Sequence, residues 1–556
     1  MINIRERERL TKLYGLQRIQ HTKTDMTANP MSRKPYLSRL RTLDMLFILL
    51  LIITAALTRG FFATIPKVMP PGDTFNFINA GKQLPFFAYP STEKRLPFYP
   101  LLIELSPSAV DPVLAATVIA VTASVTVIVL LYLLGRQLKI HPVVLTTVLM
   151  LAVVEPRIVS SGIRPLADSV FMVLVLAALL MTIRSLKQVP TSRTIVGIGI
   201  LFAMLLLTRH EGLAIVSALV AILAYCWRRS WQSIVVMLVT IIIVLTPWFV
   251  LTYKMRGTIW YMGYTTEITS SEDPWGASNI YELRDRLRTL VSYTLWDGFV
   301  QIPHDANEAV SNGSLSREEY VHTLFGNPIW WLSLLALVGV LWLIITQPVS
   351  AVPLLAIGTG TFAIMAFWGP TFRFSAPAMP FWILSVALGA TAVLHILQRL
   401  FRFHPFVWPA MLLGLVILIG SQIDPFVQET YGRISDNNDR GYAQLTAMRY
   451  LAQQSGAVAT KKSAGFFQAY VGVVGDPYQP PQRGLVLDKF LGETPVEITK
   501  HLDVHQVRYV MSEGDELQEL TDYLTSHNRI EKVVHFPTRH PTEDNIVISV
   551  IRPSGM

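Results

Sequence analysis

The sequence predicts an α-helical polytopic membrane protein, with about eleven transmembrane helices and a small C-terminal α/β soluble domain. Three observations carry that prediction. Of the 556 residues 51% are hydrophobic and only 15% charged, and the mean hydropathy is +0.42, which is not a soluble globular composition. Apolar runs near the ~20 residues that a spanning helix requires recur along most of the chain. After residue 423 charges become frequent and the apolar runs shorten to strand length.

Residues 1–43 read as a cytoplasmic basic arm, with Arg5, Arg7, Arg9, Lys12, Arg18, Arg33, Lys34, Arg39 and Arg41 and no periodic apolar face. The formal charge of +9 comes from 47 basic against 38 acidic residues. Much of the excess lies in this arm and in short loops between apolar runs, where it orients helices and gives no evidence for nucleic acid. The first apolar run begins near Met45 behind the charged arm, so no cleavable signal peptide is expected. The single cysteine, Cys226, excludes an intrachain disulfide and a cysteine metal cluster.

Apolar length places spans near 45–63, 109–134, 142–154, 166–183, 194–208, 212–226, 232–253, 328–346, 350–368, 376–397 and 405–422. Together, residues 44–423 form the membrane domain. With the N-terminus inside, the inner loops hold Arg136 and Lys139, then Arg184, Lys187 and Arg193, then Arg228 and Arg229, then Arg399 and Arg402; only the Gln347–Ser350 turn lacks a base. The outer side then receives loop 64–108, the turns 155–168 and 209–211, loop 254–327, the turn 369–374 and residues 424–556. In that last segment helical patterns (441–454, 495–502, 516–526) alternate with strand-like runs (457–460, 485–488, 507–511, 532–536, 546–551), as in a small α/β layer.

The first outer loop contains MPPGDTFNFINAGKQLPFFAYPSTEKRLPFYP. Pro70, Pro71 and Gly72 stop a preceding helix, and Asp73 stands at an N-cap position ahead of a short helix over 74–80 that Gly81 can close. Its aromatic residues are too apolar for a free aqueous loop, and they belong in the bilayer interface or under another part of the protein. Asp73 and Arg95 are thereby placed at the membrane mouth. The structural alternatives are an Asp73 that only caps a helix and an Arg95 that only binds headgroups.

Other ionisable residues stand at span boundaries, where charge is costly and is paired or functional. Glu155, Arg157, Arg164 and Asp168 occupy one outer turn, and Asp168 alternatively serves its helix N-terminus and Arg164 one turn back. Thr208-Arg209-His210-Glu211-Gly212 packs three ionisable groups between two apolar runs, where an internal Arg209–Glu211 ion pair is the simpler reading. Arg373 is a lone base among aromatics; its planar charge suits a phosphate, or it snorkels to the interface. Loop 254–327 has the length of a lid or binding element, and its His304, Asp305 and Glu308 lack a second histidine at metal-ligand spacing.

The order of GDTFNFINAGKQL, RLPFYPLL, SGIRPLADSVFMVLVLAALL, LTRHEGL, TPWFVLTYKMRG and RFSAPAMPFW resembles the polytopic GT-C-fold glycosyltransferases. Most similar is the bacterial and archaeal branch related to protein O-mannosyltransferases and the lipid A aminoarabinose transferase (glycosyltransferase family 39-like). The resemblance implies an inverting transfer of a sugar from a polyprenyl-phosphate donor to a lipid, glycan or protein acceptor at the outer face of the plasma (inner) membrane. It implies Asp73 and Asp168 as catalytic carboxylates, Asp73 as the general base, with Glu155 or Glu211 as the alternative second carboxylate. Arg209, Arg373 and Arg95 are the bases for the donor phosphate. Asp73 is followed by Thr74 and Phe75 rather than by a second acid of a DxD pair, so a divalent metal is not implied, nor is any other cofactor. Two rival classes remain: a transporter or lipid flippase, which predicts midplane charges, broken helices and repeats, and a non-catalytic glycan-binding membrane protein.

Overall fold

The structure, a computed structural model, describes residues 33–64, 72–89, 95–107, 110–188, 190–259, 328–368, 376–400, 407–452, 454, 456–460, 484–486, 494–504, 506–513, 517–536 and 546–552. Arg373 and most of loop 254–327, with His304, Asp305 and Glu308, lie outside the described residues. By internal packing the chain divides into Met1–Leu49 and Leu50–Met556.

The helices are α1 (Arg33–Thr64), α2 (Gly72–Gln83), α3 (Phe98–Glu104), α4 (Pro112–Gln137), α5 (Pro142–Val154), α6 (Pro156–Ile163), α7 (Asp168–Lys187), α8 (Ser192–Leu206), α9 (Gly212–Cys226) and α10 (Trp231–Arg256). They continue with α11 (Pro328–Thr346), α12 (Pro348–Trp368), α13 (Met379–Leu400) and α14 (Val407–Ala452). The last segment holds β1 (Ala457–Thr460), β2 (Gly484–Val486), α15 (Pro495–Val504), β3 (Val507–Glu513), α16 (Gln518–Ser526), β4 (Ile530–Phe536) and β5 (Ile546–Ile551).

Among the described residues six helical stretches are long and apolar enough to cross a membrane: Asp44–Ala63, Pro112–Gln137, Asp168–Lys187, Trp231–Arg256, Ala376–Leu400 and Pro409–Gln428. Shorter apolar helices cover Ser192–Leu206, Gly212–Cys226, Trp331–Thr346 and Pro348–Thr361, and α5 and α6 form an apolar pair bent by 57° at the break between them. These segments coincide with the spans expected from apolar length. The bend is a correction to the expectation of continuous spans. Proline at position 156 has no N–H and would clash with a continuing helix, so α5 ends at Val154. Glu155 then starts α6 afresh, its carboxylate accepting from the Ile158 N–H at 2.8 Å. The segment 155–168, expected as a turn, is thus itself partly helical.

Small residues let the membrane helices approach. A Cβ on Gly389 of α13 would fall 1.8 Å from the Leu335 carbonyl oxygen of α11, and one on Gly339 would fall 1.9 Å from that of Ser385. Gly81, expected to close a helix, lies inside α2 and serves contact instead, because its Cβ would fall 2.7 Å from the Pro100 carbonyl oxygen.

The strand-like runs of the last segment form one five-stranded mixed sheet in the order β2-β1-β3-β5-β4. β1 pairs in parallel with β2 and β3, while β5 pairs antiparallel with β3 and β4. One apolar cluster joins Val507, Val510 and Ile551 to Leu502 of α15 and to Leu520 and Leu524 of α16. The other joins Val458, Met511 and Ile548 to Ala443, Ala447 and Leu451 near the end of α14. α14 is 46 residues long, so residue 424 lies within a helix and the helical pattern at 441–454 is its continuation.

Candidate active site

Three segments meet: the α2–α3 segment, the turn before α7 and the turn between α8 and α9. Thr74 Oγ1 in α2 donates to the Pro165 carbonyl at 3.0 Å. The Phe98 N–H at the start of α3 donates to the Leu207 carbonyl at 2.9 Å. Asp73, Asp168 and Arg209 each stand within three residues of one of these bonds.

α2 begins at Gly72, which places Asp73 in its first turn rather than at the cap, as the sequence suggests. There its carboxylate gains from the partial positive charge of the helix start. Asp73 forms an ion pair with Arg95, and the two side chains are 31% and 17% exposed. Further contacts among the described residues fix Arg95. Its guanidinium lies 5.5 Å from the centre of the Phe77 ring, its carbonyl accepts from the Tyr89 hydroxyl at 2.9 Å, and the Asn76 amide oxygen, turned toward it, accepts from Nη1 at 3.1 Å. Phe77 stands edge-on to Tyr99 at 5.0 Å, and Tyr89 edge-on to Trp248 of α10 at 5.1 Å. The pair is therefore held on aromatic supports while its carboxylate stays open to solvent.

Asp168, 1% exposed, is the first residue of α7 and forms an ion pair with Arg209 Nη1. Arg209 Nε lies 3.2 Å from both Glu211 carboxylate oxygens, and Nη2 lies 2.6 Å from Oε1. One guanidinium thus bridges two carboxylates, with the Phe171 ring centre 5.7 Å from its carbon. Burial pushes the Glu211 carboxyl up, but the charge and hydrogen bonds of Arg209 outweigh it and leave the group below its ordinary value.

A further charged cluster sits at the α5–α6 break. Glu155 Oε1 lies 3.7 Å from Arg157 Nε, and both side chains are under 5% exposed. Arg157 Nη1 reaches Met379 Sδ of α13 at 3.2 Å. Arg59 of α1, fully buried, is a residue that sequence reasoning missed. It donates to Ser124 Oγ at 3.1 Å and to the Ala152 carbonyl at 3.2 Å, and it also binds the Val153 carbonyl. Those carbonyls end α5, so Arg59 satisfies groups that the break leaves without helical partners. The signal in the sequence is its position, a lone base inside the first apolar run. Among the described residues no group of three or more His, Cys, Asp or Glu could hold a metal ion.

No protein-family model and no curated protein matches the chain. Solved structures do match in fold. ArnT from Cupriavidus metallidurans bound to undecaprenyl phosphate superposes with a TM-score of 0.57 at 9% identity, covering 90% of this chain and 97% of that one. The Archaeoglobus fulgidus oligosaccharyltransferase, in complex with zinc and sulfate, matches with a TM-score of 0.53 at 13% identity, over 84% of this chain and 68% of that one. The chain is a multi-pass membrane protein with the GT-C fold and a small C-terminal sheet domain. At these identities the likeness is one of fold.

Proposed function

We propose that this protein is a membrane glycosyltransferase that moves a sugar from a polyprenyl-phosphate donor to a lipid, glycan or protein acceptor at the outer face of the plasma membrane, with inversion. The observation that carries the reading is a partly exposed carboxylate, Asp73, ion-paired with Arg95 on a helix whose Thr74 is bonded to the turn that leads into Asp168, itself the ion-pair partner of Arg209. The shared fold supports it: ArnT was solved with undecaprenyl phosphate bound.

In this reading Asp73 accepts the proton of the acceptor hydroxyl or amine as that atom attacks the sugar's anomeric carbon. The bond from that carbon to the phosphate oxygen breaks, and its electron pair leaves on the polyprenyl phosphate. Negative charge grows on a leaving group that is already stable, so the protein's main contribution is fixed positive charge. Arg95 is the best placed of the described bases, since Arg209 is already shared by two carboxylates. Arg373 is a further phosphate ligand. Asp168 and Glu211 orient Arg209, and Glu155 starts α6; neither a nucleotide nor a divalent metal is called for.

The N-terminal arm is cytoplasmic and the sheet domain extracytoplasmic in this reading, as the basic inner loops require. Among the described residues the bent α5–α6 pair and the buried Arg59 are features that a transporter or lipid flippase would also carry. Purified protein given an undecaprenyl-phosphate sugar and a mixture of lipid and glycan acceptors decides between them. Transfer by the wild type and a loss of roughly 10²- to 10⁴-fold in Asp73→Asn are expected. Equal turnover in the two would remove Asp73 from the chemistry.

A further inference from the structure

Asp73, Thr74 and Phe75 are consecutive residues in the first turn of α2, and three different parts of the fold hold them. Asp73 pairs with Arg95, and Thr74 is bonded to the turn before α7. Phe75, 2% exposed, belongs to the apolar cluster of the C-terminal sheet, with Val458 of β1, Met511 of β3, Ile548 of β5 and Ala447 of α14. A buried aromatic side chain removes on the order of 150–250 Å² from solvent, and Phe75 is one of only twelve residues in α2.

We propose that Phe75 is a positioning residue through which the C-terminal sheet holds Asp73 in its working place, so that the sheet domain forms part of the active-site frame. The proposal rests on the reading of Asp73 as general base. Phe75 lies one residue beyond Thr74, whose hydroxyl fixes α2 against the Asp168 turn, and Asp73 lies one residue before it. Release of Phe75 removes one of the described holds on the first turn of α2, beside the Thr74 hydrogen bond and the Asp73–Arg95 ion pair, and lets Asp73 shift by about 1 Å. Displacement of a catalytic group by that much costs on the order of 10²-fold in rate.

The test uses the full-length protein in detergent. Hydrogen exchange without substrate is measured on the wild type, Phe75→Ala, Phe75→Leu and, from the sheet's part of the same cluster, Ile548→Ala. Faster exchange at amides 74–80 in both alanine variants, with α7 and α8 unchanged and Phe75→Leu close to wild type, supports the coupling. Turnover of an undecaprenyl-phosphate sugar should fall roughly 10- to 100-fold in kcat for Phe75→Ala, with KM for the donor within about threefold, and Phe75→Leu should recover most of it. Unchanged exchange over 74–80 in both alanine variants overturns the proposal. So does a Phe75→Ala kcat within about twofold of wild type. Coupled exchange in a wild-type protein that transfers no sugar upholds the grip of the sheet on α2 and refutes the transfer reading alone.

Discussion

Asp168 and Arg209 form an ion pair although the whole of α7 and α8 separates them in sequence. Asp168 is 1% exposed and Arg209 12%, so each charge has left most of its water behind. Removing one partner of such a pair strands the other. Arg209→Ala should lower stability by about 3–5 kcal/mol, because it removes an ion-pair partner of both Asp168 and Glu211. Combining it with Asp168→Asn should cost less than the two changes added, since one buried charge then goes with the other. Thermal unfolding of the purified variants checks this, and a loss under about 1 kcal/mol for Arg209→Ala would mean the pair is screened.

The acid limb of stability depends on Glu211. Its folded-state carboxyl lies below the ordinary value because Arg209 overcomes the penalty of burial. A depressed carboxyl stabilises the fold fully above its unfolded value, about 4.3, and that contribution disappears as pH falls through the folded value. Unfolding temperature should therefore decline on acidification from about pH 5, and Glu211→Gln should flatten the decline. Identical pH profiles for the two proteins would remove Glu211 from the acid response.

Packing between α11 and α13 depends on the absence of a side chain at Gly389. Its Cβ would stand 1.8 Å from the Leu335 carbonyl oxygen, an overlap that only movement of a helix backbone can relieve. Gly389→Leu should abolish monodisperse folded protein in size-exclusion chromatography. Gly358→Ala in α12 should be neutral or mildly stabilising, since nothing lies within 4 Å of its would-be Cβ. Equal behaviour of the two variants would contradict the close approach.

Orientation is checked by protease added to intact spheroplasts, which should release the sheet domain, while an N-terminal tag should stay protected until the membrane is broken. The reverse pattern would put Asp73 and Arg95 in the cytoplasmic compartment.

The membrane spans and the sheet strands are legible in the sequence because both depend on local pattern. β1 and β5 lie on the strand-like runs 457–460 and 546–551, and the spans track apolar length. The ionisable residues at span ends are legible for the same reason. Their partners are not, apart from Arg209 with Glu211, two residues apart. Asp168 stands opposite Arg209 through the packing of α7 on α8, which no local spacing encodes. Phe75 reads as an interfacial aromatic, and whether it meets lipid or protein depends on a sheet at the far end of the chain. Arg59 reads as part of a span because its acceptors, the carbonyls of Ala152 and Val153, exist only once Pro156 has broken the helix.

The length of α14 has a consequence of its own. Its apolar part, Pro409–Gln428, is a candidate span, and the same helix runs on to Ala452 at the sheet. An α-helix transmits rotation: each residue turns the rest of the chain by about 100° and advances it by about 1.5 Å. One residue inserted after Gln428 would swing Ala443, Ala447 and Leu451, which share Phe75's apolar cluster, to another side of the helix axis. Seven would nearly restore the angle but lift the sheet by about 10 Å. The helix thus acts as a gauge, set in both phase and height, and its register decides whether sheet and α2 can meet at all.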